Sequence, residues 1–138
     1  RQAQDWHPQF KANGNAPLKD GQNRVIINFS SSTGRAGNEG QVCYSAAKAG
    51  IEGMTRTFAI EYASYGARVN AIAPGPVDTP MLGDVPDEKR KLMAFATKLG
   101  RIATPEEMAN SVLGMIDPQL SGYQTGEVVQ HNGGLNFA

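Results

Sequence analysis

Tyr44 and Lys48 stand four residues apart, so on a helix their side chains share one face, one turn from each other. A tyrosine hydroxyl, with an unperturbed pKa of about 10, is a poor acid or base near neutrality, but a neighbouring ammonium favours the phenolate. Such a pair can trade a proton with an alcohol or a ketone. Ser31, just past an apolar run, can hydrogen-bond the same substrate oxygen and hold it against the tyrosine. Taken alone, the pair also fits a half-buried tyrosine beside a solvated lysine. The elements that carry these residues therefore decide the reading.

Arg24-Val25-Ile26-Ile27-Asn28-Phe29 is a nearly continuous β-branched and aromatic run, the pattern of a strand buried on both faces of a parallel sheet. It ends in the small, polar loop Ser30 to Gly34. From Tyr44 to Tyr65, proline-free sequence with apolar residues at helical spacings (Ala46, Ala47, Ile51, Met54, Phe58, Ile60, Tyr62) predicts a long helix stopped at Gly66. Its small residues allow a ligand or another helix to come close. Ala67 to Ala73 alternates and runs into Pro74-Gly75-Pro76, which predicts a second strand closed by a stiff turn. Asp87 to Leu99 is predicted helical. Thr104-Pro105-Glu106-Glu107 offers an N-cap threonine, proline at N1 and glutamate at N3, a capping box that starts a helix reaching about Ile116. Glu127 to Gln130 is a last strand. Ahead of these, Arg1 to Phe10 suits a short amphipathic helix, and Lys11 to Asn23 is turn chemistry expected in an exposed loop.

This order is α/β, and right-handed crossovers make the three strands parallel. Ligands of such sheets sit at the carboxyl ends of the strands, here Ser30 to Gly34 and Pro74 to Thr79. A chain of 138 residues suits one domain. Thirteen basic residues against thirteen acidic ones leave no support for a nucleic-acid surface. Sixteen Gly and eight Pro exceed the roughly 12% of average usage, so turns and close backbone approaches should be frequent. A lone Cys43 excludes an internal disulfide framework and is read as a packing residue, and His7 and His131, without partners in sequence, do not suggest a metal site. Trp6 reads as a core or interface anchor. No apolar run is long enough to span a bilayer, and the start is not a signal peptide, so a cytoplasmic setting is expected.

The stretches Arg24 to Ser31, Gly40-Gln41-Val42-Cys43-Tyr44-Ser45-Ala46-Ala47-Lys48-Ala49-Gly50, Arg68-Val69-Asn70-Ala71-Ile72-Ala73-Pro74-Gly75-Pro76-Val77-Asp78-Thr79 and Thr125-Gly126 through Gly133-Gly134 stand in an informative order. In that order and spacing the chain resembles the short-chain dehydrogenase/reductase family, in the branch similar to bacterial 3-oxoacyl-carrier-protein reductases. The resemblance implies the C-terminal part of a Rossmann-like doubly wound parallel sheet, with residues 1–138 a partial domain holding the catalytic and substrate-binding half. It implies NAD or NADP as cofactor, hydride transfer to a small-molecule carbonyl or from a secondary alcohol, and a homo-oligomer, dimer or tetramer. It makes Ser31, thirteen residues before the tyrosine, the catalytic serine in preference to Ser30 and Ser32. Tyr44 matches the acid/base and Lys48 the residue that binds the nicotinamide ribose and tunes the tyrosine. Pro74 and Gly75 match the backbone against which nicotinamide packs, and Val77 and Thr79 the positions that bond its carboxamide. Gln41 and Met81 fall among substrate-facing positions, and Asn70 matches a family hallmark expected to be structural.

The family's glycine-rich dinucleotide fingerprint, its NAD/NADP-selecting residue and its Asn-Ala-Gly stretch have no match, nor does its catalytic asparagine, since Asn13 and Asn15 fall in the loop. The expectation is thus the second half of such an enzyme. The alternative expectation is a catalytically incompetent fragment or oligomerisation module.

Overall fold

The computed structural model describes residues 24–137; the helix expected over Arg1 to Phe10 with Trp6 and His7, and the loop after it, lie outside the described residues. Among the described residues three strands, β1 (Arg24–Phe29), β2 (Ala67–Pro74) and β3 (Val128–His131), form one parallel sheet in that order. The expected α/β architecture is therefore present. β2 lies in the middle, pairing Phe29 with Ile72 on one side and Pro74 with His131 on the other. Being paired on both edges, β2 buries Val69, Ala71, Ile72 and Ala73 completely. β1, expected to be buried on both faces, is instead half-buried, because among the described residues it pairs with β2 alone.

Among the described residues five helices accompany the sheet: α1 (Ser32–Ala36), α2 (Val42–Ala63), α3 (Asp87–Ala96), α4 (Pro105–Ile116) and α5 (Pro118–Ser121), with a 3-10 turn at Pro80–Leu82. α2 begins two residues before Tyr44, and Gly66, at φ 67°, turns the chain into β2. α3 ends three residues short of Leu99. Thr97 turns extended there, its Oγ1 donating to Ala94 O at 2.8 Å and accepting from Arg101 N at 3.2 Å. α4 opens with the expected capping box: Thr104 Oγ1 accepts from Glu107 N at 3.2 Å and Glu107 Oε2 from Thr104 N at 2.9 Å. Met108 and Met115, two turns apart on α4, pack on Ile72 with Ile27, Val77, Val112 and Val129 around them.

The entry to β3 is held by polar groups. Buried Asn70 donates from Nδ2 to Gln124 O at 2.9 Å and accepts at Oδ1 from Glu127 N at 3.0 Å. This satisfies two backbone groups that no ladder reaches, which is the structural role expected for Asn70. Arg68 donates to Met115 O and Ile116 O at the end of α4 and to Ser121 O at the end of α5, at 2.9–3.1 Å, covering carbonyls at both helix ends. Burial pulls its guanidinium below the usual arginine value.

The buried stripe of α2 differs from its apolar periodicity. Glu52, Thr55 and Ala59 are its buried residues, whereas Ile60 is 79% exposed. The helix meets the end of β1 through polar and small side chains.

Candidate active site

Parallel pairing brings the carboxyl ends of β1 and β2 side by side. Ser30, the first residue after β1, donates its N–H to Ile72 O at 2.8 Å, which extends that pairing by one step. Ser31 follows as the N-cap of α1: its backbone is extended, and its Oγ accepts from Thr33 N at 3.2 Å. The serine hydroxyl is thereby tied to the start of a helix, with its proton free to point elsewhere.

Tyr44 lies in the first turn of α2 and is 44% exposed. Lys48, one turn on, holds its Nζ 5.6 Å from the centre of the Tyr44 ring and donates to Phe29 O at 2.8 Å. A cation at that distance from a ring is attracted by it. Gly34 of α1 rests on this same turn: a methyl group there would lie 2.8 Å from Lys48 Cβ, so α1 approaches α2 as closely as the backbone allows. Ser31, Tyr44 and Lys48 thus belong to one packed unit of β1, α1 and α2. Among the described residues no hydrogen bond joins Ser31 to Tyr44, which leaves both hydroxyls available to a substrate oxygen.

The turn after β2 supplies the other wall. Gly75 N donates to His131 O at 3.1 Å. Val77 forms a parallel bridge to Ala103, in which Asp78 N bonds Ala103 O at 2.8 Å and Ala103 N bonds Pro76 O at 3.0 Å. In that pattern Val77 contributes neither its own N–H nor its own C=O, so both face away from the bridge. Thr79 caps the 3-10 turn, with Leu82 N donating to its carbonyl at 2.8 Å. Arg90 stiffens the segment by pairing with Asp78 and donating to Leu82 O. Met81 is 86% exposed, and Gln41, the N-cap of α2, is exposed as well and bonded to Asn38, so neither is drawn into the packed unit. Cys43 is exposed rather than packed. His131 pairs with Ser111, its Nδ1 2.7 Å from Ser111 Oγ. Among the described residues no group of three or more His, Cys, Asp or Glu could hold a metal ion.

Reasoning from sequence passed over Glu52 and Arg35 and set Ser30 aside in favour of Ser31. Ser30 Oγ lies 3.1 Å from both Lys48 O and Glu52 Oε1, and Arg35 reaches Glu52 Oε2 at 3.4 Å. Below them Asn28 Nδ2 donates to Thr55 Oγ1 at 2.9 Å. Lys48, Glu52 and Thr55, spaced i, i+4 and i+7, form one polar face of α2; that spacing was the available signal.

The family model described as enoyl-(acyl carrier protein) reductase matches residues 12–136. The 3-oxoacyl-[acyl-carrier-protein] reductase FabG of Thermotoga maritima is 44% identical over 83% of this chain and 46% of its own length. The reductase of the same name from Aquifex aeolicus is 38% identical over 95% of this chain and 56% of its own. The cis-4-hydroxycyclohexanecarboxylate dehydrogenase of Sinomonas cyclohexanicum is 39% identical over 80% of this chain and 44% of its own. The chain therefore spans about half the length of the curated relatives it matches. With a family model covering nearly every residue and a parallel sheet that gathers the serine, tyrosine and lysine at one end, the chain belongs to the short-chain dehydrogenase/reductase family.

Proposed function

We propose that these residues form the catalytic side of an NAD(P)-dependent oxidoreductase that interconverts a small-molecule carbonyl and a secondary alcohol. The observation that carries the reading is Lys48 Nζ lying between the Tyr44 ring and Phe29 O, with the hydroxyls of Tyr44 and Ser31 uncommitted to each other. The residues suit a nicotinamide. Its carboxamide presents one carbonyl and one amide N–H₂, the complement of the free N–H and C=O of Val77, with Thr79 two residues on and Pro74 and Gly75 forming the surface beneath. When bound, NAD or NADP supplies or takes up the hydride.

The chain's own groups manage the proton and the orientation. In the reducing direction Tyr44 gives its hydroxyl proton to the carbonyl oxygen as hydride reaches the carbon, yielding the alcohol; in the reverse direction it takes the proton back. Lys48 faces the ring with a positive charge that stabilises the negative charge left on the tyrosine, and its remaining N–H donors can reach a ribose hydroxyl. Ser31 donates to the substrate oxygen and holds it beside Tyr44. The proposal includes a cytoplasmic homo-oligomer: Val42 and Ile60 of α2, 80% and 79% exposed, offer apolar surface to a second copy. No helix among the described residues is long and apolar enough to cross a membrane.

The test is Tyr44→Phe in the full-length native protein, assayed by NAD(P)H oxidation against a 3-oxoacyl thioester and a cyclic ketone. Turnover should fall about 10²–10⁴-fold, the usual worth of a positioned acid. Cofactor binding should remain measurable by nicotinamide fluorescence. Turnover at the wild-type rate in this variant overturns the assignment.

A further inference from the structure

Glu52 is a buried carboxylate, 5% exposed, to which the chemistry above assigns no part. A carboxylate out of water must be paired and hydrogen-bonded to be tolerated. Its two oxygens divide their partners instructively. Oε1 lies 3.1 Å from Ser30 Oγ, the hydroxyl of the residue just before Ser31. Oε2 lies 3.4 Å from Arg35 Nη2, in the last turn of the helix that Ser31 caps. One side chain therefore grips the segment 30–35 at both ends, and Gly34, midway, rests on Lys48 Cβ. Ser30 is held from the other side by its N–H on Ile72 O, and its hydroxyl is shared between Glu52 Oε1 and Lys48 O, each 3.1 Å away.

We infer that Glu52 is a positioning residue for Ser31: through Ser30 and Arg35 it fixes the serine-bearing segment against the helix that carries Tyr44 and Lys48. This rests on the catalytic reading of those three residues. Glu52 is one turn beyond Lys48 and two beyond Tyr44, so the anchor and the acid/base belong to one rigid helix. Without the anchor, the Ser31 hydroxyl loses its set distance from the Tyr44 hydroxyl, although neither residue is altered.

Three variants of the full-length native protein test this: Glu52→Ala, Glu52→Gln and Ser30→Ala. A displacement of about 1 Å can cost on the order of 10²-fold in rate, so Glu52→Ala should lower kcat about 10–100-fold with the KM for NAD(P)H unchanged. Glu52→Gln keeps an oxygen for Ser30 and should recover most of kcat, although it weakens the pair with Arg35 as the alanine does. Ser30→Ala, which leaves Glu52 and Arg35 intact but also removes the contact with Lys48 O, should reproduce the kcat loss, and wild-type kcat in it overturns the inference even if Glu52→Ala does not fold. A purely structural ion pair predicts the opposite, with wild-type kcat in Ser30→Ala and equal defects in Glu52→Ala and Glu52→Gln; either result overturns the inference. Amide exchange separates this from a failure of the catalytic reading. The Thr33 and Gly34 amides bond to Ser31 Oγ and Ser31 O, and local opening should raise their exchange about tenfold in Ser30→Ala. Unchanged exchange refutes the anchor whatever the chemistry, whereas faster exchange with wild-type turnover in Tyr44→Phe refutes the catalytic reading alone.

Discussion

A methyl group on Gly75 would lie 2.8 Å from both Cα and O of Asn132, so the turn that follows β2 is seated directly on the first residue after β3. The contact is backbone against backbone, with no flexible side chain to yield. It couples the segment carrying Val77 and Thr79 to the polar knot around Asn132, whose Nδ2 reaches Asn136 O at 3.0 Å and whose Oδ1 accepts from Gly134 N at 2.9 Å.

Gly75→Ala should therefore both destabilise the fold and displace the proposed nicotinamide wall. Overpacking of this kind costs about 1–3 kcal/mol. Urea unfolding should show that loss, and NAD(P)H titration should show weaker binding. A wild-type midpoint together with wild-type affinity would refute the close approach.

Lys48→Met keeps the length of the stem while removing the charge beside Tyr44 and the bond to Phe29 O. Turnover should fall by about 10²-fold or more, and cofactor affinity should weaken. Lys48→Arg should not restore activity, because a planar guanidinium cannot place a compact donor where the ammonium stands. Steady-state kinetics of both variants measure this; full activity in either one removes Lys48 from the proposed chemistry.

Asn70→Ala removes the 2.9 Å donor to Gln124 O, leaving that carbonyl the longer 3.4 Å bond from Arg68, and strands the Glu127 amide, at a cost of about 1–3 kcal/mol for a group left unpaired. Asn70→Asp should not rescue it, since a carboxylate at Asn70 cannot donate to Gln124 O. Thermal unfolding of the two variants should show comparable losses, and stability equal to wild type in Asn70→Asp would contradict the bonding assigned here.

Acid should erase one contribution of the α4 cap. The bidentate hydrogen bonds from Arg101, then the bond from the Thr104 amide, hold the Glu107 carboxyl down to about 2, against an ordinary 4.5. A group depressed in the folded state stabilises it fully above its unfolded value and loses that effect as pH falls towards the folded one. Glu107→Gln should thus melt below wild type at neutral pH, and the difference should shrink between about pH 4.5 and pH 2. Thr104→Ala, which removes an uncharged cap worth about 1 kcal/mol, should cost the same across that range. Melting curves at several pH values check both, and a Glu107→Gln defect independent of pH would contradict the pairing.

Much of this architecture is legible in the residues because its signals are local. Thr104-Pro105-Glu106-Glu107 starts a helix through bonds made within one turn, and β2 reads as a strand because Ala67 to Ala73 alternates and runs into the stiff turn at Pro74-Gly75-Pro76. Elsewhere local signals mislead by a few residues. α3 stops at Ala96 because the Thr97 hydroxyl captures Arg101, and β1 is half-buried because burial depends on what pairs with it.

Tyr44 and Lys48 could be singled out by spacing alone, since four residues on any helix bring two side chains to one face. Their proposed partnership with Ser31, and with the turn at Val77, needed parallel pairing of β1 with β2 to set two strand ends together. The Ser30, Arg35 and Glu52 anchor lies deeper still. Its members are 17 and 22 positions apart, and apolar periodicity points to the outward Ile60 rather than to the buried carboxylate. Short-range hydrogen bonding and helical geometry are written into neighbouring residues, whereas contact between distant polar groups exists only once the chain has closed the loop between them.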